Sequence, residues 1–466
     1  MSTLKLKELS KLGYTNDQGR SLVINILSRH FKHHSKQALV ELLTSIKDDP
    51  ARYINDDVVG KIAATFLGDV EDNYFKAHDL LSQPMPAKVY GGKEIEHAAK
   101  RQMETAMSLP IAVQGALMPD AHTGFGLPIG GVLATHNAVI PFAVGVDIGC
   151  RMALTIIDES ESFFKSHSFE MKTALRELTH FGMEGSLEFK QEHPVMDHPA
   201  FGATEFLKRL QGKAERQLGT SGSGNHFVEF GTVQLGEGNT LGLPAKNYVG
   251  LLSHSGSRGL GANIAQHYTR IAMDVCRLPR EAQQLAWLDM DSEAGQEYWL
   301  SMNLAGEYAK ACHDRIRINL LKALGLQAIT IVENHHNFAW KERLADGRDV
   351  IVHRKGATPA HAGELGIIPG SMTTPAYIVS GVGEEGSLYS ASHGAGRAMS
   401  RQRAKENMTV SGMKQLLATA GVTLIGGSVE ENPLAYKDIH RVMAAQDALI
   451  NVEGTFMPRI VRMNKE

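Results

Sequence analysis

The sequence has few cysteines, no long hydrophobic run and no dominant sign of charge. Three cysteines in 466 residues are too few for a disulfide framework, which predicts a reducing, cytoplasmic location. No apolar run reaches the roughly 18 residues that a membrane-spanning helix needs. The N-terminus lacks the apolar core of a secretory signal peptide. These shortages predict a cytoplasmic protein with no membrane association.

The net charge and the chain length exclude fewer possibilities for function and domain number. The formal net charge is −3, which does not predict a nucleic-acid-binding protein. It does not exclude one either, because a local basic groove is enough to hold a nucleic-acid backbone. A chain of 466 residues is long enough for one large domain or for two or three smaller ones.

The glycine content and the spacing of apolar residues change near residue 76. Residues 1–75 contain little glycine and have apolar residues at helical spacing, which predicts a small helical N-terminal region of unknown role. From residue 76 to 466, short apolar runs end in glycine-rich loops and alternate with helical patterns. We therefore expect an α+β fold in which residues 76–466 form a mixed domain with many strands and with functional groups on its loops.

Five short segments carry the residues that could bind a metal: VGVDIGC, GSGNHFVE, SHSGSRGLG, ENHHNFAW and SASHGAGR. Asp147 and Cys150 have the spacing D-x-x-C, on a turn expected after an apolar strand. Any one histidine here would more often be structural, and a lone cysteine is usually a small buried hydrophobe. Together they predict a metal centre, because imidazole, thiolate and carboxylate suit Mn, Fe, Co or Zn. His335 and His336 compete for one ligand position, and spacing does not choose between them.

His393 precedes the small residues of HGAGR, with a helical pattern after it. Small residues let a phosphate approach the backbone, and a helix N-terminus favours an anion. Arg397 and Arg401 add cations one turn apart. The histidine could be a ligand, a general base or a nucleophile toward phosphorus. With PGSMTTPAY as a second cradle and Arg354 and Lys355 as further cations, the pattern predicts metal-assisted phosphoryl or nucleotidyl transfer.

Seven segments in this order resemble the RtcB-type RNA-splicing ligase family: MPDAHTGFGLPIGG, VGVDIGC, RQLGTSGSGNHFVE, HSGSRGLG, HHNFAW, IPGSM and SHGAGR. The resemblance covers roughly residues 76–466. It implies that residues 76–466 form an RtcB-like catalytic domain with a large mixed sheet. It also implies an enzyme that joins an RNA 3′-phosphate or 2′,3′-cyclic phosphate to a 5′-hydroxyl, in RNA repair or tRNA splicing. It further implies GTP, two Mn²⁺ ions and a guanylate on His393. The sequence leaves open whether an accessory activating protein takes part.

The resemblance also implies roles for single residues. The expected metal ligands are Asp147, Cys150, His226, His254 and His336, with Cys150 bridging the two ions. The expected catalytic residues are His393 and Asp120. The expected nucleotide contacts are Asn225, His226, Phe227, Val228, Glu229, His336, Asn337, Pro369, Gly370, Ser371, Met372, Gly394, Ala395, Gly396 and Tyr436. Glu229 is expected to accept hydrogen bonds from guanine, and Arg216, Arg258 and Arg397 to contact RNA phosphates.

The chain departs from the family pattern at the guanine end. The family usually closes with V-K-G, whereas this chain closes with RIVRMNKE, so Lys465 is a candidate replacement. Ala376 stands where the family has a serine, and Glu307 and His313 replace family residues in the long helix. The pattern therefore predicts guanine recognition less strongly than the metal centre.

Two other functions use the same residues. A binuclear metal phosphoesterase could use the metal ligands, with SHGAGR as a phosphate cradle alone. A non-catalytic sensor of RNA ends could descend from a ligase. The intact ligand set and His393 favour the ligase, which alone would form a covalent nucleotide adduct.

Overall fold

The computed structural model describes residues 6–14, 17–31, 34–54, 56, 58–66, 76–182, 186–187 and 190–464. The chain forms two compact units, Met1–Lys76 and Ala77–Glu466. Lys465, the candidate replacement for the family lysine, lies outside the described residues.

The described part of the first unit is helical: α1 (Leu6–Lys11), α2 (Asp17–His30), α3 (Lys36–Asp48), α4 (Pro50–Tyr53) and α5 (Gly60–Ala64). Helix α3 shows why these segments fold. The Ser35 hydroxyl accepts a hydrogen bond from the Ala38 N–H at 3.2 Å and caps the first turn. One face of α3 then buries Leu39, Leu43 and Ile46 in a small apolar core.

The second unit has helices and strands interleaved. Its helices are α6 (His97–Met107), α7 (Pro141–Val144), α8 (Glu161–Ser166), α9 (Ser168–Leu178), α10 (Glu205–Gln217), α11 (Arg258–Val275), α12 (Glu293–Leu324), α13 (Arg401–Asn407), α14 (Val410–Thr419) and α15 (Ile439–Ala444). None of the helices formed by described residues is both long and apolar enough to cross a membrane.

The strands begin with β1 (Lys76–Ala77) at the junction of the units. They continue as β2 (Ala87–Val89), β3 (Ala112–His122), β4 (Ile129–Thr135), β5 (Ala138–Val139), β6 (Arg151–Ile157), β7 (Phe227–Leu235), β8 (Asn247–Ser255), β9 (Cys276–Arg277), β10 (Leu288–Asp289), β11 (Ala328–His335), β12 (Asn337–Arg343), β13 (Asp349–Lys355), β14 (Ala357–Pro359), β15 (Leu365–Ile368), β16 (Ala376–Gly381), β17 (Ser390–Ser392), β18 (Thr423–Ile425) and β19 (Ile450–Met463).

Two large sheets organise the second unit. The first has the strand order β11-β6-β8-β7-β19-β16-β15, with β18 also pairing with β19, and the second has the order β12-β13-β4-β3-β2. Each sheet is mixed, because β18 pairs with β19 and β2 with β3 in parallel, whereas the other pairs are antiparallel. The predicted α+β fold with a large mixed sheet and a helical N-terminal region is confirmed.

The two ends of the first sheet meet through one side chain. Asn334 on β11 accepts a hydrogen bond from the Ile367 N–H on β15 at 2.9 Å. Its amide nitrogen donates to the Ile367 carbonyl at 3.3 Å and to the Thr358 hydroxyl at 2.7 Å. These bonds tie strand β11, and the loop that follows it, to the far side of the sheet.

Two local expectations were wrong. The run before Asp147 is not one strand, because Pro141 opens the one-turn helix α7 and Gly145 ends it at φ 103°. The segment HGAGR does not open a helix either. Helix α13 begins at Arg401 with Ser400 as its cap, so the helix starts after the HGAGR segment and does not include it.

Candidate active site

A cavity of about 620 Å³ opens where neighbouring strands of the large sheet end. Cys150 precedes β6, His226 precedes β7, His254 lies near the end of β8, and His336 follows β11. In the antiparallel register Phe227 and Met152 both face His254 across neighbouring strands. The sheet therefore gathers at one edge side chains that are far apart in sequence.

The expected metal ligands meet in this cavity as two overlapping groups. Asp147, Cys150 and His226 form one, and Cys150, His254 and His336 form the other, with the donor atoms of each group within 4.8 Å of one another. The Cys150 Sγ lies 3.4 Å from the His226 Nε2 and 3.2 Å from the His254 Nε2. The thiol therefore stands between the two groups, as a bridging ligand would.

Further contacts aim the ring nitrogens at the shared centre. The His254 Nδ1 lies 3.0 Å from the Asn225 carbonyl and donates to it, so the Nε2 lone pair faces inward. The His254 Nε2 is 3.3 Å from the His336 Nε2, and the His226 Nε2 is 3.0 Å from an Asp147 oxygen. Burial holds the pKa values of His254 and His336 well below the usual value, so both rings are neutral. Neutral imidazole is the form that binds metals.

The chemistry of this donor set fits metal ions. Burial raises the pKa of the Cys150 thiol well above its usual value, and the Asp147 carboxylate raises it further. A divalent cation would reverse both effects by binding the thiolate and the carboxylate together. The buried Nδ1 atoms of His226 and His336 have no partner within the described residues. The set of sulfur, nitrogen and oxygen donors suits Mn, Fe, Co or Zn.

Glycine is required where the backbone touches these ligands. A Cβ at Gly256 would collide with the Asp147 carboxylate, and a Cβ at Gly222 would collide with the His226 ring. The glycine-rich loops noted in the sequence therefore leave room for ligands. Behind them, His313 holds strand β8, with its Nδ1 2.6 Å from the Ser253 hydroxyl and its Nε2 3.1 Å from the Ser255 carbonyl.

His393 lies beside this centre, with its ring centroid 5.0 Å from that of His336. The Asp120 carboxylate is fully buried and accepts from the His393 Nδ1 at 2.7 Å and from the His393 backbone N–H at 3.2 Å. With Nδ1 holding the proton, a neutral His393 ring carries its free lone pair on Nε2. His335, the competing ligand, instead packs between Phe338 and Trp340.

The structure brings the other expected nucleotide contacts to the same cavity, with one exception. The cavity wall includes Asn225, Phe227, Glu229, Asn337, Pro369, Gly370, Ser371, Met372, Gly394, Ala395, Gly396 and Tyr436. Val228 is the exception. It alternates with Phe227 and Glu229 along β7, and its side chain is fully buried in an apolar cluster with Val249 and Ile460. Asp120 also lies outside the wall, behind His393.

The expected cations differ in what they can reach. Arg397 lines the cavity but pairs with Glu431 at 3.2 Å. Arg401 lines it and pairs with Glu430 at 2.7 Å and with Glu431. Arg354 is fully buried and pairs with Glu342, so it cannot serve a phosphate; its neighbour Lys355 faces the cavity instead.

The remaining two arginines lie elsewhere. Arg258 donates to the Thr220 hydroxyl at 3.2 Å and to the Gly182 carbonyl at 2.5 Å. Arg216 is exposed near the end of α10. Neither lines the cavity.

The acidic part of the cavity wall was not predicted from the sequence. Glu431 is 2% exposed and accepts from Arg397, Arg401 and the Tyr436 hydroxyl. Glu96 accepts from the Thr123 N–H at 2.6 Å. Glu96 stands before an amphipathic helix and resembles a solvated residue, so the sequence gives no signal for it. The adjacent acids of SVEENP are the one signal that could have pointed to Glu431.

Comparison with known proteins identifies the family of this chain. The sequence profile of the family described as "tRNA-splicing ligase RtcB" matches residues 102–200 and 179–463. The RNA-splicing ligase RtcB of Escherichia coli K12 is 34% identical over 408 residues, which cover 80% of this chain and 96% of that protein. The tRNA-splicing ligase RtcB of Nanoarchaeum equitans is 30% identical over 436 residues, which cover 77% of this chain and 91% of that protein.

Fold and site together define an α+β protein with a buried candidate metal centre beside a carboxylate-held histidine. The chain belongs to the RtcB family of RNA-splicing ligases. The resemblance found in the seven sequence segments is confirmed.

Proposed function

We propose that this protein is an RNA ligase that joins a 3′-phosphate or 2′,3′-cyclic phosphate end to a 5′-hydroxyl end, using GTP and two Mn²⁺ ions. The observation that carries the proposal is the His393 ring, held through Nδ1 by the buried Asp120 carboxylate in the wall of the metal-ligand cavity. A binuclear metal phosphoesterase can use metal-activated water as its nucleophile and does not require this histidine, whereas covalent nucleotide transfer requires a nucleophilic side chain, which His393 would supply.

Asp147, Cys150 and His226 would hold one metal ion, and Cys150, His254 and His336 the other. Bound there, the ions supply charge that stabilises phosphoryl oxygens and the leaving pyrophosphate. Cys150 and the three histidines are buried, which limits the access of water to them, and the Asn225 carbonyl fixes the His254 ring through its Nδ1. The family membership supports this assignment.

His393 carries out the first covalent step in this proposal. Its Nε2 lone pair forms a bond to the α-phosphorus of GTP, and the bond from that phosphorus to the bridging oxygen breaks, so pyrophosphate leaves. Asp120 holds the Nδ1 proton and stabilises the positive charge that develops on the ring. A 2′,3′-cyclic phosphate would first be opened by water to a 3′-phosphate. An oxygen of the RNA 3′-phosphate then bonds to the guanylate phosphorus as the bond from that phosphorus to Nε2 breaks, which leaves GMP on the RNA end and returns the His393 ring to its neutral form. Attack by the 5′-hydroxyl on that phosphorus joins the strands and expels GMP.

The guanine is proposed to bind at the Glu229 end of the cavity. Glu229 is 4% exposed, lines the wall and has no hydrogen-bond partner within the described residues, so its oxygens are available to a base. Phe227, Met372 and Met463 add apolar surface there. Ala376 lines the same wall and brings only a methyl group.

A joining assay tests this function. One RNA strand ends in a 3′-phosphate and the other begins with a 5′-hydroxyl; both are incubated with protein, Mn²⁺ and either GTP or no nucleotide. We expect a joined product on a denaturing gel only with GTP, and none with His393→Ala or Cys150→Ala. Release of phosphate without GTP, and no joined product, would favour the phosphoesterase instead. Binding without either reaction would favour the RNA-end sensor.

A further inference from the structure

A second cavity of about 350 Å³ adjoins the main one. The two share part of their walls, and the shared residues are Glu96, His122, Arg397, Ala398 and Tyr436. We call this second space the side cavity. Its volume lies in the range of small-ligand sites, and no step proposed above uses it.

The charges of the side cavity balance one another. Its cations are Arg397, Lys437 and Arg441, and its anions are Glu94, Glu96 and Asp438. The cations are already engaged, because Lys437 donates to the Pro119 and Ala121 carbonyls at 3.1 and 2.8 Å. Arg441 lies 3.5 Å from Glu94. A wall of this kind suits a neutral polar group, such as a ribose, better than a phosphate.

His122 supplies the one imidazole of this wall. Its Nδ1 lies 3.1 Å from the backbone carbonyl of Asp120, the residue whose side chain holds His393. Burial lowers the pKa of His122 to about 4, so the ring is neutral at pH 7. Since a carbonyl only accepts, Nδ1 donates the proton and Nε2 is a bare acceptor. No described residue donates to this Nε2.

Asp120 therefore fixes two rings at once, His393 through its carboxylate and His122 through its carbonyl. Both rings line the main cavity, and His122 also faces the side cavity. We propose that the side cavity holds the ribose of a terminal RNA nucleotide and that the His122 Nε2 accepts a hydrogen bond from one of its hydroxyl groups. This inference rests on the proposed function, and it gives the site a means to recognise RNA ends.

The hydroxyl could be the 5′-hydroxyl of one strand or the 2′-hydroxyl beside the 3′-phosphate of the other. The test is a coupling experiment between the protein and these groups. Wild-type protein loaded with Mn²⁺ is titrated with fluorescent RNA strands of three kinds: unmodified, 5′-deoxy at the first nucleotide, and 2′-deoxy at the nucleotide that bears the 3′-phosphate.

Two substitutions are matched to the two ring nitrogens. His122→Asn can keep the donor to the Asp120 carbonyl but loses the acceptor at the Nε2 position. His122→Gln places an amide oxygen near that position and keeps an acceptor. A structural role would give the reverse order, because Asn preserves the contact with Asp120 better than Gln.

We expect one deoxy strand to bind wild-type protein about tenfold more weakly than unmodified RNA, the size of one hydrogen bond. His122→Asn should bind unmodified RNA about tenfold more weakly and show no further loss with that deoxy strand, and His122→Gln should recover part of the loss. If each deoxy substitution weakens RNA binding by the same factor in wild type and in His122→Asn, the inference is overturned. Wild-type joining of the unmodified strands is measured first, so that a failure of the proposed ligase function is seen separately.

Discussion

The Asp120 carboxylate is fully buried. One of its oxygens accepts a hydrogen bond from the His393 Nδ1, and the other oxygen has no partner within the described residues. Burying a carboxylate costs free energy. Catalytic triads nevertheless contain a buried aspartate, because it fixes the tautomer and the orientation of the reactive histidine. At the scale of single residues, this pair is the strongest indication of chemistry in the molecule.

Replacing Asp120 by Asn tests the pair. The amide keeps the size of the side chain but removes the charge, so the Nδ1 proton and the charge developing on the ring lose their support. We expect Asp120→Asn to slow nucleotide transfer to the protein by about 10²-fold or more, measured as single-turnover adduct formation. Asp346→Asn changes an exposed carboxylate that pairs with Arg348 and should have no effect. An unchanged rate in Asp120→Asn would contradict the orienting role.

Glu229 predicts a pH dependence of GTP binding. Burial raises the pKa of this carboxyl well above its usual value, so the free protein keeps this proton to a higher pH than an exposed glutamate does. Guanine presents N–H donors, which favour the ionised carboxylate and lower its pKa in the complex. GTP binding should therefore release a proton, and affinity should rise with pH up to the pKa of the free protein.

Calorimetry of GTP binding to Mn²⁺-loaded His393→Ala protein, which cannot form the adduct, in two buffers of different ionisation enthalpy measures this proton. At a pH below the pKa of the free Glu229 carboxyl, this protein should release up to one proton more than the same protein with Glu229→Gln, which has nothing to ionise at this position. Equal release by the two proteins would show that Glu229 stays protonated and does not pair with the guanine N–H groups.

At the scale of elements, the site depends on strand ends meeting at one edge, and Asn334 holds that arrangement closed. Asn334→Ala leaves the Ile367 N–H buried without its partner, which should lower the free energy of unfolding by about 2 kcal/mol in urea denaturation. It should also weaken metal binding, because His336 is only two residues further along. Thr358→Val removes a single bond to the Asn334 amide and should cost less. Equal stability of Asn334→Ala and wild type would show that Asn334 does not hold the sheet closed.

Strand parity explains what the sequence could and could not predict about the site. The ligand-bearing segments were predictable, because polar residues at the ends of apolar runs converge wherever strands align. The choice between His335 and His336 needs the exact end of β11, since neighbouring side chains on a strand face opposite sides. For the same reason Arg354 is buried whereas Lys355 lines the cavity. Val228 is likewise buried, whereas Phe227 and Glu229 line the cavity.

The α+β fold was predictable from the change in glycine content and from the alternation of short runs with helical patterns. The local errors came from proline and capping chemistry. Pro141 begins a one-turn helix within the apolar run, and the Ser400 cap makes helix α13 begin at Arg401. The ion pairs of the cavity wall were not predictable either. They join Arg397 and Arg401 to Glu430 and Glu431, in segments about 30 residues apart, and no local sequence pattern reveals such tertiary contacts.

At the scale of the whole molecule, every residue that lines the main cavity lies between Glu96 and Met463, inside the second compact unit. That unit has apolar cores of its own. We therefore expect a fragment of residues 77–466 to fold, bind metal and form the nucleotide adduct at a rate within about twofold of the full chain, the scatter expected when no site contact is removed. Circular dichroism establishes folding independently. A folded fragment without adduct formation would show that the first 76 residues contribute to the site.

The proposed ligase mechanism requires that His393 become covalently guanylylated. Purified protein is incubated with Mn²⁺ and α-labelled GTP, with and without excess ATP, and the protein is then separated under denaturing conditions beside His393→Ala and Cys150→Ala. We predict a label on wild type alone that is acid-labile and alkali-stable, as a phosphoramidate is, and that ATP does not compete away. Competition by ATP would retain the covalent mechanism and refute guanine specificity. Absence of label from a protein shown to hold two metal ions would contradict the claim.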